Sequence, residues 1–333
     1  MPLSTISPYM LSNATASGGT AAANAYIIYN STTGRVEWSA QQVVIAGAGY
    51  TSGGGAFPAV NTIDKFPFAT DGNASDVGDL TVVRFFVAGQ SSTVSGYSSG
   101  GADPSAPAAY NTIDKFPFAS NANATDVGDL TQVKQSSAGQ SSSSSGYSSG
   151  GVAPGGRTNT IDKFPFASNG NATDVGDLTQ IRNSAAGQSS SSSGYTSGGY
   201  APGTVNTIDK FPFASNANAT DVGDLTRVAE ETSGQSSTTH GYTSGGSPGV
   251  LNTIDSFPFA SNANATDVGD LPVGKSRSVG QSSSVSGYAS GGVASPISVL
   301  TNAIDKFPFA SNTNASDVGD LSQARGRAAG QQG

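Results

Sequence analysis

The chain has 333 residues, no cysteine, one histidine and a formal net charge of −8 at pH 7. The missing cysteines exclude disulfides, thiolate metal sites and cysteine nucleophiles. The acidic balance argues against DNA or RNA as a partner, because nucleic-acid-binding proteins present clustered Lys and Arg to phosphates. No apolar run reaches the ~18 residues of a membrane span, and the first residues lack a signal-peptide pattern. We therefore expect no membrane insertion and no export by the ordinary secretory route.

Residues 1–40 differ from the rest of the chain and are predicted to form an N-terminal attachment arm. The segment NAYIIYNSTTGRVEWSA, residues 24–40, has two apolar stretches around a polar turn and predicts a hairpin. One hairpin gives too little core to fold alone, so the arm must gain order from a partner. We expect it to dock on another subunit with Ile27, Ile28 and Trp38 as buried anchors, since such residues dominate interfaces. Packing on its own repeat domain is the alternative.

Residues 41–333 contain six near-copies of one sequence and predict a single repeat domain. The third copy, NTIDKFPFASNGNATDVGDLTQIRNSAAGQSSSSSGYTSGG, covers residues 159–199. The repeat period of roughly 46 to 50 residues falls in the range of β-propeller blades. The Ile that opens the motif occurs at Ile63, Ile113, Ile161, Ile208, Ile254 and Ile304.

Each repeat predicts four short strands and no helix. The segments AGQSSS, GYTSGG, NTIDKFPFAS and ATDVGDL are bounded by turn-forming residues, and none has the apolar spacing of an amphipathic helix. Pro67 between Phe66 and Phe68 predicts an outer strand that packs on the next unit, because Pro cannot donate a ladder hydrogen bond. The small side chains of AGQSSS suit a crowded strand near a central axis. The fold class is predicted to be all-β.

The order of these segments resembles the kelch repeat of β-propellers over residues 41–333. A small-residue strand is followed by Tyr and a Gly-Gly pair, an Ile-Asp-Lys-Phe strand, and a fourth strand that ends in Leu and a basic residue. The kelch Trp is missing, and Ala229 replaces one basic residue. The resemblance implies a six-bladed kelch-like β-propeller with an N-terminal extended arm or hairpin. The alternative is a β-solenoid, in which each repeat forms two unlike rungs.

The chain ends are expected to meet at one seam between the first and sixth blades. Residues 39–55, SAQQVVIAGAGYTSGGG, are predicted to supply the first two strands of the first blade, with VVIA in place of the usual Ser run. The C-terminal AAGQQG corresponds to the start of another first strand.

Residue types for catalysis are scarce in the repeats. His240 occurs in one repeat only, so a Ser-His-Asp relay has no repeated basis, and we expect no enzymatic activity and no cofactor. The turn with Asp71, Asn73, Ser75, Asp76 and Asp79 resembles the alternating oxygen ligands of a calcium loop. The alternative is a hairpin turn in which Asn and Asp bond their own backbone.

The repeats differ mainly in two connections that antiparallel order places at one end of the domain. These are the second-to-third and fourth-to-first connections, and loops that vary on a constant scaffold often carry recognition, although neutral drift is the alternative. The expected partner-binding residues are Arg84, Phe85, Phe86, Tyr110, Lys134, Arg182, Tyr200, Glu230, Glu231 and Lys275.

The N-terminal hairpin is similar to segments near the N-termini of bacteriophage tail fibres and other virion appendages. This resemblance implies a non-enzymatic virion protein of the tail, neck or capsid, held to other virion proteins by its arm. We expect a homo-oligomeric assembly that contacts a host-surface glycan or receptor. A bacterial surface or carbohydrate-binding β-propeller is the alternative.

Overall fold

The computed structural model of the chain is all-β, which confirms the predicted fold class. No helix occurs in the described ranges, and none there is long and apolar enough to cross a membrane. Two compact units, Met1–Ala46 and Gly47–Gly333, divide the chain; the predicted boundary lay after residue 40. The structure describes residues 26–30, 35–39, 47–55, 58–103, 105, 109–296 and 298–333.

The first unit contains the predicted hairpin. Strand β1 (Tyr26–Asn30) pairs antiparallel with β2 (Arg35–Ser39). Ile27 lies opposite Trp38 in this register, so two of the three expected anchors occupy paired positions.

The second unit is a succession of short strands. The first are β3 (Ala48–Ser52), β4 (Thr62–Pro67), β5 (Ser75–Asp79), β6 (Ala88–Ser91), β7 (Ser95–Ser99), β8 (Thr112–Pro117), β9 (Thr125–Asp129), β10 (Ala138–Ser141) and β11 (Ser145–Ser149). There follow β12 (Val152–Ala153), β13 (Gly156–Arg157), β14 (Thr160–Pro165), β15 (Thr173–Asp177), β16 (Ala186–Ser189), β17 (Ser193–Ser197), β18 (Thr207–Pro212), β19 (Thr220–Asp224), β20 (Ser233–Ser236), β21 (His240–Ser244), β22 (Thr253–Pro258) and β23 (Thr266–Asp270). The last are β24 (Lys275–Ser276), β25 (Val279–Ser282), β26 (Ser286–Ser290), β27 (Val293–Ala294), β28 (Val299–Leu300), β29 (Ala303–Pro308), β30 (Ser316–Asp320) and β31 (Ala329–Gln332).

These strands form six four-stranded antiparallel sheets in the described part of the chain, an arrangement consistent with a β-propeller. We number them sheet 1 (β31-β3-β4-β5), sheet 2 (β6-β7-β8-β9), sheet 3 (β10-β11-β14-β15), sheet 4 (β16-β17-β18-β19), sheet 5 (β20-β21-β22-β23) and sheet 6 (β25-β26-β29-β30). Two smaller sheets, β12-β13 and β24-β27-β28, lie in the connections.

Sheet 1 takes its first strand from the C-terminal segment. Strand β31 pairs with β3, with Ser52 opposite Ala329. The assignment of VVIA to this strand is therefore wrong, and residues 41–46 lie outside the described residues. The segment AAGQQG is the better first strand because it carries the Gly and Gln of the other five. Gln331 Nε2 donates to Tyr97 O of sheet 2 at 2.9 Å, a bond that VVIA could not make.

Small residues in the first strands allow the sheets to approach closely, as predicted. A Cβ on Gly139 would clash with the Gly89 carbonyl of the preceding sheet, and the equivalent clash occurs at each first strand. Beside this Gly, a buried Gln reaches across to the next sheet. Gln90 Nε2 donates to Tyr147 O at 2.9 Å, and the other five Gln make the same bond.

Each apolar cluster spans two neighbouring sheets. In one of them Tyr50, Ile63 and Leu80 of sheet 1 pack against Phe116 of sheet 2, and Phe118 stacks on Tyr50 with ring centroids 4.8 Å apart. The Phe strand thus packs on a neighbouring sheet, but on the preceding sheet, whereas the sequence predicted packing on the next one.

The Phe strand is also the third of four, so its prediction as an outer strand is wrong. Pro67 is the last residue of β4 and pairs with Ala48, whereas the pairing of β4 with β5 stops at Lys65. The missing N–H of Pro67 therefore costs no bond to the fourth strand.

Candidate functional site

The two variable connections meet at one end of the sheets, as antiparallel order predicts. The fourth-to-first connections of sheets 1 to 5 each form a backbone bridge with the second-to-third connection of the following sheet, and Gly55 N–H donates to Gly326 O at 2.9 Å between sheets 1 and 6. The bridged pairs include Phe85 with Ala102, Gln135 with Val152, Asn183 with Tyr200, and Glu230 with Ser247. We call this the loop end of the second unit.

Four of the expected partner-binding residues lie inside the protein. Arg84, Lys134, Arg182 and Lys275 are at most 1% exposed, so the expectation that they contact a partner is wrong. Each follows a fourth strand and turns inward to a third-strand Asp of the next sheet. The distances between charged atoms are 2.8 Å for Arg84–Asp114, 3.0 Å for Lys134–Asp162, 2.8 Å for Arg182–Asp209 and 2.6 Å for Lys275–Asp305.

These ion pairs tie neighbouring sheets together. Arg84 Nη1 also donates to Gly100 O at 3.0 Å and Nη2 to Ser98 O at 3.1 Å, so both terminal nitrogens of the buried guanidinium are bonded. Arg325 makes the same pair with Asp64 at 2.9 Å, which links sheet 6 to sheet 1. Burial lowers the pKa of Arg84, opposed by the nearby Asp114 carboxylate. The basic residues of the repeat thus have a structural role.

A ring of six backbone hydrogen bonds forms the centre of the loop end. The six residues all have left-handed φ values between +54° and +61°, although none is glycine. Phe86 N–H donates to Arg327 O at 2.7 Å, Ser136 to Phe86 at 2.9 Å, Ser184 to Ser136 at 2.8 Å, Glu231 to Ser184 at 2.8 Å, Arg277 to Glu231 at 2.7 Å, and Arg327 to Arg277 at 2.9 Å. We call these six residues the amide ring.

The amide ring holds unlike side chains on one repeated backbone. Left-handed φ is uncommon outside glycine and persists where the surrounding structure enforces it, which happens most often at functional sites. Here the closed cycle of hydrogen bonds enforces it. Because the backbone is fixed, an aromatic, two hydroxyl, one acidic and two basic side chains project from equivalent positions.

The charged side chains of the amide ring are unevenly paired. Arg277 Nε donates to Glu231 Oε1 at 2.7 Å, whereas the Arg327 side chain has no hydrogen bond or ion pair with any described residue. The Arg327 guanidinium instead lies over the Phe86 ring, 4.6 Å from its centroid. Burial, followed by repulsion from Arg277, lowers the pKa of Arg327. This edge of the ring carries an excess of one positive charge in an acidic protein.

A cavity of about 390 Å³ opens beside this edge. Its lining includes the charged residues Arg277, Arg327 and Glu231 and the apolar residues Val250 and Leu300. We call it the arginine pocket. Its volume falls within the ~300–1,000 Å³ typical of small-molecule sites. A second cavity of about 410 Å³ is lined by the first strands of the sheets.

The remaining expected residues also lie at the loop end. Phe85 is buried, whereas Phe86, Tyr110, Tyr200, Glu230 and Glu231 are partly exposed. Burial raises the pKa of Glu230, and its Oε1 accepts a hydrogen bond from Thr204 at 3.2 Å.

Of the residues around the arginine pocket, the sequence predicted Glu231 but not Arg277 or Arg327. The sequence signal that could have identified these two arginines is their position, three residues before the Gly of the first strand. Ile27, Ile28 and Trp38 belong to the first unit.

The Asn/Asp turns at the other end of the sheets use their side-chain oxygens in hydrogen bonds. Asn123 Oδ1 accepts the Asp79 N–H of the preceding sheet at 3.1 Å, and Asp76 Oδ1 accepts the Gly78 N–H at 3.1 Å. These bonds support the hairpin-turn interpretation. In the described ranges, no cluster of three or more His, Asp or Glu could hold a metal ion. Calcium binding at these turns stays a prediction.

The fold and site define an all-β repeat protein with one constant end and one variable end. Comparison of the sequence with models of known families gives no match, and comparison with curated proteins gives none either.

Proposed function

We propose that residues 41–333 form a closed six-bladed, kelch-like β-propeller. Contacts between first strands run from sheet 1 in order to sheet 6 and back to sheet 1, which supports closure. The Gln-to-Tyr hydrogen bonds follow the same cycle, and Gln281 Nε2 completes it by donating to Tyr50 O at 3.0 Å. The Gly-Gly pairs and the basic residue of the repeat support the kelch-like class.

In this proposal the protein is a non-enzymatic appendage of a bacteriophage particle, at the tail, neck or capsid. Residues 1–40 dock on other virion proteins through Ile27, Ile28 and Trp38, and the loop end faces a host-surface glycan or receptor. Several copies assemble on one virion. The observation that carries the recognition role is the amide ring, where side chains of four kinds project from six equivalent positions of one enforced backbone.

Deletion of residues 1–38 tests the attachment role of the arm. We expect the shortened protein to fold with an unchanged melting temperature and to be absent from purified particles, in which mass spectrometry detects the full-length protein. Absence of the full-length protein from particles would contradict the virion role. Loss of folding on deletion would show instead that the arm belongs to the repeat domain.

A bacterial surface or carbohydrate-binding propeller is the second candidate function. The arginine pocket supports it, because a small-molecule cavity with charged walls can bind a sugar without attachment to a particle. Tight glycan binding by a protein that never copurifies with particles would favour this candidate.

A further inference from the structure

We propose that the arginine pocket binds a sugar that carries one carboxylate. This inference rests on the proposed recognition role of the loop end and names the class of ligand. The ligand carboxylate would meet the Arg327 guanidinium, and sugar hydroxyls would meet the polar wall of the pocket.

Arg327 is the reason to expect an anion. Its guanidinium has no acidic partner among the described residues, whereas the buried guanidinium groups of Arg84, Arg182 and Arg325 are each paired with an Asp. Phe86 lies against the guanidinium and fixes it in place without neutralising it. A planar guanidinium held in this way matches the two oxygens of a carboxylate, which accept parallel hydrogen bonds from it.

The charge balance of the pocket favours a single negative charge. Arg277 is already paired with Glu231 at 2.7 Å, so only the charge of Arg327 remains to be neutralised. A dianion such as a phosphate monoester would exceed this balance and would also be repelled by Glu231. A carboxylate, with one negative charge, neutralises Arg327 without an excess.

The remaining walls fit a sugar better than a plain carboxylic acid. Val250 and Leu300 offer an apolar surface, and Ser247 and Ser298 place hydroxyl-bearing residues in the same lining. A pyranose has an apolar face and a rim of hydroxyls, so it can use both kinds of wall. The volume of about 390 Å³ accommodates one or two sugar residues.

Titration of the full chain with matched sugars tests this proposal. The probes are glucuronic, galacturonic and N-acetylneuraminic acids, each compared by ligand-observed NMR with its neutral counterpart: glucose, galactose or the methyl ester. We expect at least one acid to bind tenfold or more tightly than its counterpart, and more tightly than acetate. Equal binding of every acid and its counterpart would overturn the proposal, as would acetate binding as tightly as the best acid.

Substitutions locate the site. Arg327→Gln should weaken binding of the acid about tenfold, because one charge-assisted hydrogen bond is worth that much. Arg277→Gln should weaken binding as well, because it frees the Glu231 carboxylate to repel the ligand. Arg157→Gln is the matched control. Arg157 also lies at the loop end, where it stacks on Tyr200 and bonds Asn183, and its loss should leave affinity unchanged. Circular dichroism melting checks that each variant folds. Undiminished binding by folded Arg327→Gln would overturn the proposal.

The outcome is separable from the virion role. A particle-associated protein that binds none of the acids would overturn the pocket assignment and leave the attachment role standing. Acid binding by a protein absent from particles would overturn the attachment role and leave the pocket assignment standing.

Discussion

At the scale of single residues, Asp255 shows what the buried ion pairs contribute. It occupies the same third-strand position as Asp209, but Ala229 stands where the partner of Asp209 is Arg182. Asp255 is 4% exposed and is bonded by Thr226, whose N–H donates to Oδ2 at 2.9 Å and whose hydroxyl donates to Oδ1 at 2.7 Å. Burial raises the pKa of Asp255, so its ionised form destabilises the fold at neutral pH.

We predict that Asp255→Asn raises the free energy of unfolding at pH 7 by about 1 kcal/mol. The amide removes the buried charge and can keep both contacts with Thr226. Because the folded-state pKa is raised, protonation favours the fold. The wild type therefore loses the free-energy cost of the buried charge as the pH falls through that pKa. The difference in the free energy of unfolding between variant and wild type shrinks towards pH 4. Urea unfolding between pH 7 and pH 4 measures the difference.

Asp209→Asn is the matched control and should lower the free energy of unfolding. It leaves the Arg182 guanidinium buried without its counter-ion, which costs about 3 kcal/mol. Equal destabilisation by the two substitutions would contradict the assignment of Asp255 as an unpaired buried acid.

The sequence located the charged residues of the repeat but not their roles. A basic residue after a strand can point outward or inward, and the sequence around it does not distinguish the two orientations. The pairing of Arg84 with Asp114 depends on how two successive sheets pack. For the same reason the sequence predicted Phe86 and Glu231 at the variable end and missed Arg277 and Arg327, because only the closed amide ring shows that these residues are equivalent.

At the scale of elements, the first strand is the most restricted segment of the repeat. Its Gly faces the backbone of the neighbouring sheet, and its Gln bonds a carbonyl of the other neighbour. The sequence predicted the small side chains correctly because crowding selects residue size. It could not predict that the Phe strand is third rather than outer, since Pro67 satisfies the same rule at a strand end as at an edge.

We predict that Gly139→Ala destabilises the protein by about 3 kcal/mol, as expected for overpacking against backbone that cannot move aside. The added Cβ would collide with the Gly89 carbonyl and force two first strands apart. Gly155→Ala is the control, because its Cβ would meet no atom within 4 Å. Thermal unfolding measures both. A change at Gly139 as small as that at Gly155 would show that the first strands do not pack as described.

At the scale of the whole molecule, the proposed propeller requires closure of the sheet ring. The sequence predicted a seam where the chain ends meet but chose the wrong segment for the first strand of sheet 1. VVIA and AAGQQG are both strand-like, and local propensity does not separate them. The Gln331 bonds to Ser52 at 2.9 Å and to Tyr97 at 2.9 Å decide between them, and these are contacts between distant parts of the chain.

The most direct measurement of closure is a disulfide across the seam in a chain that has no other cysteine. Ser52 and Ala329 are opposite residues of β3 and β31, a spacing that a disulfide can span. The variant with Ser52→Cys and Ala329→Cys should form one intramolecular bond between positions 52 and 329, detected by peptide mass mapping of the oxidised monomer. The control with Ser52→Cys and Ala138→Cys, which are not strand partners, should keep free thiols. Free thiols at positions 52 and 329, or bonds only between chains, would contradict a closed ring and favour an open stack of rungs.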